Sequence, residues 1–392
     1  MRRNKECFWL YILLLLGSTA RAQDFSEMES DIKAYLFSVE TNPGLSDARF
    51  EPEYGDAFVY GSSYIYHRAL AGEDVSELEL GIAEKMAERY EDYLARFEKN
   101  PIGSLQDMDI MMHTYIGIGG VYFGSFYAPE RKKQRLIERY LDDFKFFARH
   151  PGILYYYPIQ PYGPGVVLFG LASFYLQYPL SFPDSERAEE FKKLGMDLVK
   201  KLDKNFWCKK EQKYLFDLVP VYDFTYAYTN AIAVQALVRA YYLTGDQHYY
   251  DRAVLALSAI ERDLYHPSYS GYLAAEPDPR YQRKYEKFNP LYNQDYMPLS
   301  GLNYIVYAYL LLYEASGFME EEFLRRAERG LFFPQKHLWD QNGRAHHHLA
   351  LGRLSEEKDY CAGCNLQLLY NIFLLKQAKQ KKPIMLLNAS AP

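Results

Sequence analysis

Residues 222–264 read YDFTYAYTNAIAVQALVRAYYLTGDQHYYDRAVLALSAIERDL and have the pattern of one complete helical hairpin. The first half, 222–243, carries almost no charged side chains, which is typical of a helix that is buried on all sides. The second half, 247–264, places apolar residues at helical spacing among charged ones, which is typical of a helix with one exposed face. Between them, Thr244-Gly245-Asp246 carries helix-stop and helix-start residues. The stretch therefore predicts an inner helix followed by an outer one.

The same alternation extends along most of the chain. Weakly charged helices are predicted to start near residues 56, 106, 162, 222, 293 and 360, and amphipathic helices near 75, 129, 184, 247 and 319. The full predicted set is 24–39, 56–71, 75–98, 106–126, 129–149, 162–178, 184–204, 222–243, 247–264, 293–315, 319–332 and 360–380. The last inner helix has no outer partner after it, so we expect helix 24–39 to pack against it.

This arrangement predicts an all-α fold, an (α/α)6 toroid in which six helical hairpins close into a ring. An open α-solenoid is the alternative, but the repeats vary between about 50 and 70 residues, whereas stacked solenoid repeats keep a fixed length. We see no linker or low-complexity segment in the sequence. The prediction is therefore one toroid domain over residues 23–382, followed by a short C-terminal tail over 383–392.

The N-terminus has the pattern of a cleaved signal peptide over residues 1–22. Arg2, Arg3 and Lys5 precede a short apolar run, and Ala20-Arg21-Ala22 provides small residues at a cleavage site. A secreted or periplasmic protein is therefore predicted, and an uncleaved buried or anchoring helix is the alternative. No later segment is apolar and long enough to cross a bilayer, so stable membrane insertion is not expected.

The charge of the chain argues against a nucleic-acid partner. The full chain has a net charge of −6, and loss of residues 1–22 would change it to −9. There is no block of basic residues that could bind phosphates. The sequence does not define an oligomeric state.

Tyrosines and acidic residues recur where the inner helices are predicted to begin, and the chain contains 39 tyrosines in all. In a ring of hairpins these helix starts meet on one face, which is where a cleft is expected. Tyrosine faces can cover the apolar side of a sugar, and carboxylates can accept its hydroxyl hydrogens. The predicted sugar-binding residues are Tyr54, Asp56, Asp107, Asp109, His113, Tyr157, Tyr162, Asp223, Tyr228 and Asp295. Helix capping by the acidic residues is the alternative.

Three separated stretches in the C-terminal part of the chain belong together. The first is Thr229–Asp246, the second contains Tyr296-Met297-Pro298 and Gly301-Leu302-Asn303, and the third runs from His348 to Leu369 and includes Asp359-Tyr360. In this order and separation they resemble the C-terminal helical domain of D-glucuronyl C5-epimerases. The resemblance covers about 160 of the 392 residues, and that family inverts a uronic acid within a glycan chain.

The resemblance implies a chemistry and residues to perform it. Epimerisation at C5 removes a proton beside a carboxylate and returns it on the opposite face, which requires an acid and a base on opposite sides of the sugar. Tyr296 and Tyr360 match the family's tyrosines with these roles. His348 matches a histidine of its third stretch and is expected to support the proton transfer, and Asn303 matches an asparagine of its second and is expected to bind the sugar.

The chain also departs from the family, and one of these departures removes residues of the predicted site. Where the family has Tyr-Asp-Leu-Arg-His, this chain has Ala345 followed by His346, His347 and His348. A third tyrosine and an arginine therefore have no match. Because the growing charge on the substrate carboxylate needs a cation or donors, Arg344 or Arg353 is predicted to take that role.

The cysteines support several interpretations. Cys361 and Cys364 open the last inner helix, and Cys208 is the third cysteine that remains after removal of the signal. A structural Cys361–Cys364 disulfide is the favoured interpretation, because exported proteins meet an oxidising environment. A zinc site that uses the two cysteines with histidines of the 346–348 run, or a redox-active pair, are the alternatives. No cofactor is therefore assigned.

These observations predict an exported enzyme that acts on a uronic-acid-containing glycan, by epimerisation or by elimination. Two alternatives remain. A glycoside hydrolase would use paired carboxylates such as Asp107, Asp109 or Asp223. A toroid that only binds a glycan or peptide would explain the missing tyrosine and arginine.

Overall fold

The structure is a computed structural model that describes residues 24–37, 163–181, 183–184, 186–215, 224–276, 296–340, 343–350, 352–355 and 361–384. It also describes residues 60–79 apart from 62, 66, 69, 70 and 78. The predicted signal peptide, most of the predicted helices 75–98, 106–126 and 129–149, and all but two residues of the predicted tail lie outside these residues.

Eight α-helices have defined ends in the described part of the chain. They are α1 Ser26–Phe37, α2 Gly163–Ser181, α3 Ala188–Phe206, α4 Ala227–Thr244, α5 Gln247–Leu264, α6 Leu299–Ala315, α7 Glu321–Phe333 and α8 Ala362–Lys379. The described residues between 60 and 68 are also helical and belong to the first predicted inner helix. A five-residue π-turn, Pro334–Leu338, extends α7.

The helices form two layers, as the charge pattern predicts. Helices α2, α4, α6 and α8 pack side by side in chain order, while α3, α5 and α7 pack outside α2, α4 and α6. Helix α1 packs against α8, which confirms the predicted partner of the last inner helix. Inner helix α4 is buried at every position from 227 to 240, whereas α3 buries a single stripe. The fold is the predicted (α/α)6 toroid. Its two layers pack together because each removes its apolar surface from water by packing on the other.

The turn between α4 and α5 shows how the sequence sets one hairpin. Gly245 has φ +68°, a left-handed conformation that suits glycine, and its N–H donates to the carbonyl of Tyr241 at 2.7 Å. Asp246 then accepts a hydrogen bond from the N–H of His248 and so caps the next helix. The stop and start signals predicted from Thr244-Gly245-Asp246 therefore act as expected.

Short strands connect each outer helix to the next inner one. After α3 comes the hairpin β1 Trp207–Cys208 with β2 Lys213–Tyr214, and after α5 comes β3 Tyr265–His266 with β4 Gly271–Tyr272. Strand β5 Met297–Pro298, which precedes α6, joins β6 His348–Ala350 and β7 Arg353–Leu354, which follow α7, in a three-stranded sheet. Backbone hydrogen bonds join these strands across repeats. They are Ala227 N–H to Ala274 O, Ala274 N–H to Tyr296 O and Leu299 N–H to His347 O. The strands therefore form a connected rim at the inner-helix starts.

In two consecutive repeats, an equivalent ion pair and tyrosine hold the strand hairpin to the outer helices. In the first, Tyr214 of β2 donates to Asp203 of α3 at 2.7 Å, and Arg252 of α5 pairs with the same carboxylate at 3.0 Å. The guanidinium of Arg252 also lies 3.9 Å from the ring centre of Trp207. The next repeat has the same arrangement in Tyr272, Glu261, Arg329 and Tyr265. These contacts fix the rim strands to the outer layer.

A buried asparagine near an inner-helix start fastens the preceding strand. Asn230 of α4 accepts from the N–H of Tyr214 at 2.8 Å and donates to its carbonyl at 3.0 Å. Asn365 of α8 makes the equivalent pair with Ala345, at 2.8 Å and 3.0 Å. Each side-chain amide bonds both the N–H and the carbonyl of one rim residue, as a neighbouring strand would. It therefore fixes the rim to the inner helix.

Within the described residues, no helix combines the length and the apolar character that a bilayer crossing requires.

Candidate functional site

Half-exposed stripes on buried helices mark the central cleft. On α6, Ser300, Tyr304 and Tyr307 are half-buried, while the other residues from 299 to 314 are buried. Their spacing of four and three residues places them on one helix face. On α2, Gly170 and Phe174 repeat the pattern with the same four-residue spacing. Since these inner helices are covered by neighbours on their other faces, the two stripes line the inside of the ring.

The upper wall of the cleft is made of tyrosines. The hydroxyls of Tyr228 and Ser300 share a hydrogen bond of 2.5 Å. The Tyr228 ring stacks on Tyr226 with centroids 5.2 Å apart and lies 5.7 Å from Tyr304, which in turn lies 6.2 Å from Tyr60. Tyr228, predicted to bind sugar, therefore belongs to an aromatic wall shared by three inner helices. Such a wall presents apolar ring surface with polar tips.

Tyr296 and His348 lie together at the mouth of this cleft. Tyr296 immediately precedes β5, and His348 of β6 pairs with Pro298, the last residue of β5. Their ring centroids are 5.0 Å apart, and the two residues are 8% and 6% exposed. The Nδ1 atoms of His347 and His348 are 2.9 Å apart, so one of them carries the hydrogen and donates a hydrogen bond to the other. The rim therefore brings together a phenol and an imidazole, two groups able to exchange protons.

The other described residues of the predicted site occupy different surroundings. Asn303 has no exposed surface, and its amide donates to the carbonyl of Cys364 at 2.8 Å, so it holds α8 against α6. Arg344 pairs with Asp340 at 2.9 Å within a turn whose Gly343 lies against α1, in the outer layer. Arg353 lies on β7 and is exposed, with no ion-pair partner among the residues described. Of the two predicted arginines, Arg353 is therefore the one whose charge is not already paired.

The remaining predicted site residues lie outside the described part of the chain and stay predictions. They are Tyr54, Asp56, Asp107, Asp109, His113, Tyr157, Tyr162, Asp223, Asp295 and Tyr360.

Cys361 and Cys364 form a disulfide at the start of α8. Both sulfurs are therefore bonded to each other, and neither is a thiolate that could bind zinc in this state. Cys208 is free, and the described residues contain no group of three or more His, Cys, Asp or Glu side chains arranged to hold a metal ion.

A polar layer, which we call the floor, lies deeper in the ring and has no counterpart in the sequence predictions. Arg239 of α4 donates to Gln177 of α2 at 2.8 Å and to the Tyr307 hydroxyl of α6 at 3.1 Å. The ring of Tyr307 lies 5.9 Å from that of Tyr370 of α8, and Tyr370 hydrogen-bonds and stacks with His67. Five inner helices therefore each contribute at least one polar side chain. A single polar residue in an apolar helix gives little sequence signal, which is why the floor was missed.

Burial, together with the nearby positive charge of Arg239, lowers the pKa of His67 to about 3. Folding therefore keeps this histidine neutral, with the Tyr370 hydroxyl as a hydrogen-bond partner. An unfolded histidine titrates near 6.5, so the unfolded state binds more protons than the folded state between about pH 3 and 6.5. The stability that depends on neutral His67 is complete above pH 6.5 and is lost as the pH falls.

We expect acidification from pH 7 to pH 5 to remove about 2 kcal/mol of stability through His67. A His67→Gln variant, which stays neutral, should lack this component in urea unfolding at the two pH values. His248→Gln, a change of an exposed histidine on α5, serves as the control. An equal pH dependence in wild type and His67→Gln would contradict the assignment.

Comparison with known proteins establishes the fold. No protein-family profile matches the sequence, and no curated protein matches it either. Among solved structures, a GH76 α-mannanase from Bacteroides thetaiotaomicron is similar at a TM-score of 0.60, with 11% identity over 92% of this chain and 97% of the other. A sugar epimerase from a ruminal bacterium has a TM-score of 0.59, with 10% identity over 91% and 100% of the two chains. A cellobiose 2-epimerase from Bacillus thermoamylovorans has a TM-score of 0.56, with 11% identity over 82% and 87%.

These structures share the (α/α)6 toroid. Because only about a tenth of the residues are identical, the similarity establishes a common fold and does not establish a common reaction. The resemblance to D-glucuronyl C5-epimerases stays a prediction.

Proposed function

We propose that this protein is a carbohydrate-active enzyme that binds a uronic-acid-containing glycan in the tyrosine-lined cleft and removes the proton at C5. The observation that carries the proposal is the contact of Tyr296 with His348 at the mouth, 5.0 Å between ring centroids, beside the tyrosine wall. Toroids of similar structure carry names that refer to sugars, including an α-mannanase, a polysaccharide lyase and a sugar epimerase. The predicted signal peptide would place the reaction in the periplasm or outside the cell.

The wall composed of Tyr60, Tyr228 and Tyr304 suits a saccharide. Phenol rings cover the C–H face of a pyranose, while their hydroxyls and that of Ser300 can exchange hydrogen bonds with the sugar hydroxyls. The wall offers no described ion pair of its own. It therefore favours binding of sugar rings in general, and the choice of sugar has to come from charged groups elsewhere in the cleft.

The proposed reaction begins with transfer of the C5 proton to a base at the mouth. The electron pair of the broken C–H bond moves into the adjacent carboxylate, whose growing charge needs a cation. Tyr296 is the proposed acid or base on one side of the sugar, with His348 as its proton-exchanging neighbour. Tyr360 is the proposed partner on the other side, and Arg353 the proposed cation. Return of a proton to the opposite face of C5 gives an epimer, whereas loss of the C4 substituent gives an unsaturated sugar.

The test is incubation of the purified protein with uronic-acid polysaccharides in D₂O, followed by NMR at C5. We expect either deuterium on C5, which identifies epimerisation, or new 4,5-unsaturated ends, which identify elimination because C5 of that product carries no hydrogen. Boiled protein is the control for spontaneous exchange.

The experiment also separates the alternatives. Neither exchange nor unsaturated ends on any uronate, together with new reducing ends on a neutral glycan, would replace the proposal with a hydrolase that uses carboxylates such as Asp107 and Asp109. No chemical change together with saturable glycan binding would replace it with a binding protein.

A further inference from the structure

Arg239 is a buried cation without a counter-ion among the residues described. Its side chain donates to the side-chain oxygen of Gln177, to the backbone carbonyl of Gln235 and to the hydroxyl of Tyr307, all of which are neutral acceptors. The residue is 6% exposed, and no described carboxylate lies within ion-pair distance of it. Burying a guanidinium beside neutral groups alone costs several kcal/mol. The location near the C-terminal end of α4 offsets only part of that cost, because a helix terminus contributes at most about half a charge.

The floor also contains unused hydrogen-bond donors. Among the described residues, the side-chain N–H groups of Gln235 and Gln367 have no hydrogen-bond partner, although these residues are only 7% and 2% exposed. Gln235 lies one turn before Arg239 on α4, and Gln367 lies three residues before Tyr370 on α8. A helical spacing of three or four residues puts each pair on one face. The floor therefore has a positive charge and two unused amide donors, and both can bind an anion.

The floor is too far from the mouth to bind the group that reacts there. Tyr307 lies nine residues after Pro298, the residue that immediately precedes α6. At 1.5 Å per residue this places the floor about 13 Å below the mouth. A carboxylate attached to the reacting carbon remains beside Tyr296 and His348. An anion at the floor must therefore belong to another sugar of the same chain.

We propose that the floor binds the carboxylate of a second uronic acid, so that the ligand is an acidic oligosaccharide that enters the ring end first. Arg239 supplies the charge, and the amides of Gln235 and Gln367 complete the donor set. The tyrosine wall between mouth and floor holds the intervening sugar rings. This inference rests on the proposed function, because it assumes that the cleft binds a glycan.

The test compares two ligands of equal length by calorimetry, a glucuronic acid tetrasaccharide and its carboxyl-reduced neutral form. We expect wild type to bind the acidic form about 10- to 100-fold more tightly, since a hydrogen-bonded charge contributes about 1.5–3 kcal/mol. Arg239→Gln should lose most of this preference while its affinity for the neutral form changes little. Arg239→Lys should keep part of the preference. Arg325→Gln, which removes an exposed charge on α7, should behave as wild type.

Each contrary outcome has a distinct meaning. Equal binding of the two ligands by wild type would overturn the floor site, and the C5 exchange experiment in D₂O would decide the proposed function separately. The same holds if a folded Arg239→Gln protein kept the full preference. If Arg239→Gln did not fold, Gln367→Leu, which removes one unused donor, should still weaken the acidic ligand alone, and no such change would overturn the site. Absence of binding to either tetrasaccharide would overturn the proposed function and this inference with it.

Discussion

Replacement of Tyr296 by Phe is expected to lower the rate of C5 proton exchange by about 10²- to 10⁴-fold, the usual contribution of one positioned acid or base. The change removes a single oxygen and keeps the ring that packs against His348. Because the hydroxyl is proposed to move a proton rather than to hold the sugar, KM should change far less than kcat. The measurement is the initial rate of deuterium entry at C5 in D₂O, at several substrate concentrations.

A matched control separates this role from a general loss of tyrosine hydroxyls. Tyr241 is half-buried near the end of α4, away from the inner-helix starts. Tyr241→Phe should therefore keep the wild-type rate. An unchanged kcat in Tyr296→Phe would remove Tyr296 from the mechanism, and a rise in KM alone would make it a binding residue.

The fold was predictable because it depends on properties that a sequence displays directly. The few charges across 227–240 indicate a helix with neighbours on all sides, which is α4. The single apolar stripe of α3 indicates a helix with one solvent-exposed face. The predicted ends of α5, 247 and 264, agree with the structure. Even the packing of α1 against α8 follows from the absence of an outer helix after α8 in the sequence.

The rim was not predictable in the same way. Helix α4 was predicted from 222 and begins at 227, and α6 was predicted from 293 and begins at 299. In both cases the residues just before the helix are extended, since Tyr226 bridges to Ala275 and Met297–Pro298 pairs with β6. Strands of two residues are too short to show a period of two. Their hydrogen-bond partners come from distant repeats, which local sequence does not reveal.

Members of the candidate site were predictable where they are adjacent to a recognisable sequence motif. They were harder to predict where their role depends on hydrogen-bond or ion-pair partners elsewhere in the fold. Tyr296 and His348 were expected in one site and lie in contact. Arg344 was expected to bind a carboxylate, and it does pair with one, that of Asp340 in its own turn. Asn303 was expected to contact sugar, yet its amide binds the Cys364 carbonyl. In each case the amino-acid type shows the hydrogen-bonding capacity of the side chain, and only the fold shows which partner uses it.

The asparagine that supports the rim should matter more for stability than any residue of the cleft. Asn365→Ala is expected to lower the free energy of unfolding by about 2–5 kcal/mol, because it leaves two buried backbone groups of Ala345 without a partner. Ala345 cannot recover these bonds within its hairpin. Its neighbours Arg344 and His346 make the hairpin hydrogen bonds to Asp340 and Leu338, and its own N–H and carbonyl bond to Asn365.

Urea unfolding of the purified variant measures this loss, and Asn205→Ala is the matched control. Asn205 is an exposed asparagine near the end of α3, so its removal should change stability by less than about 0.5 kcal/mol. The consequence for the site follows from the chain itself. Ala345 lies three residues before His348, so a rim strand released at Ala345 also releases the imidazole that contacts Tyr296. Asn365→Ala should therefore reduce proton exchange even at temperatures where it remains folded. A variant as stable as wild type would show that water or the β5–β6 pairing alone can hold this strand.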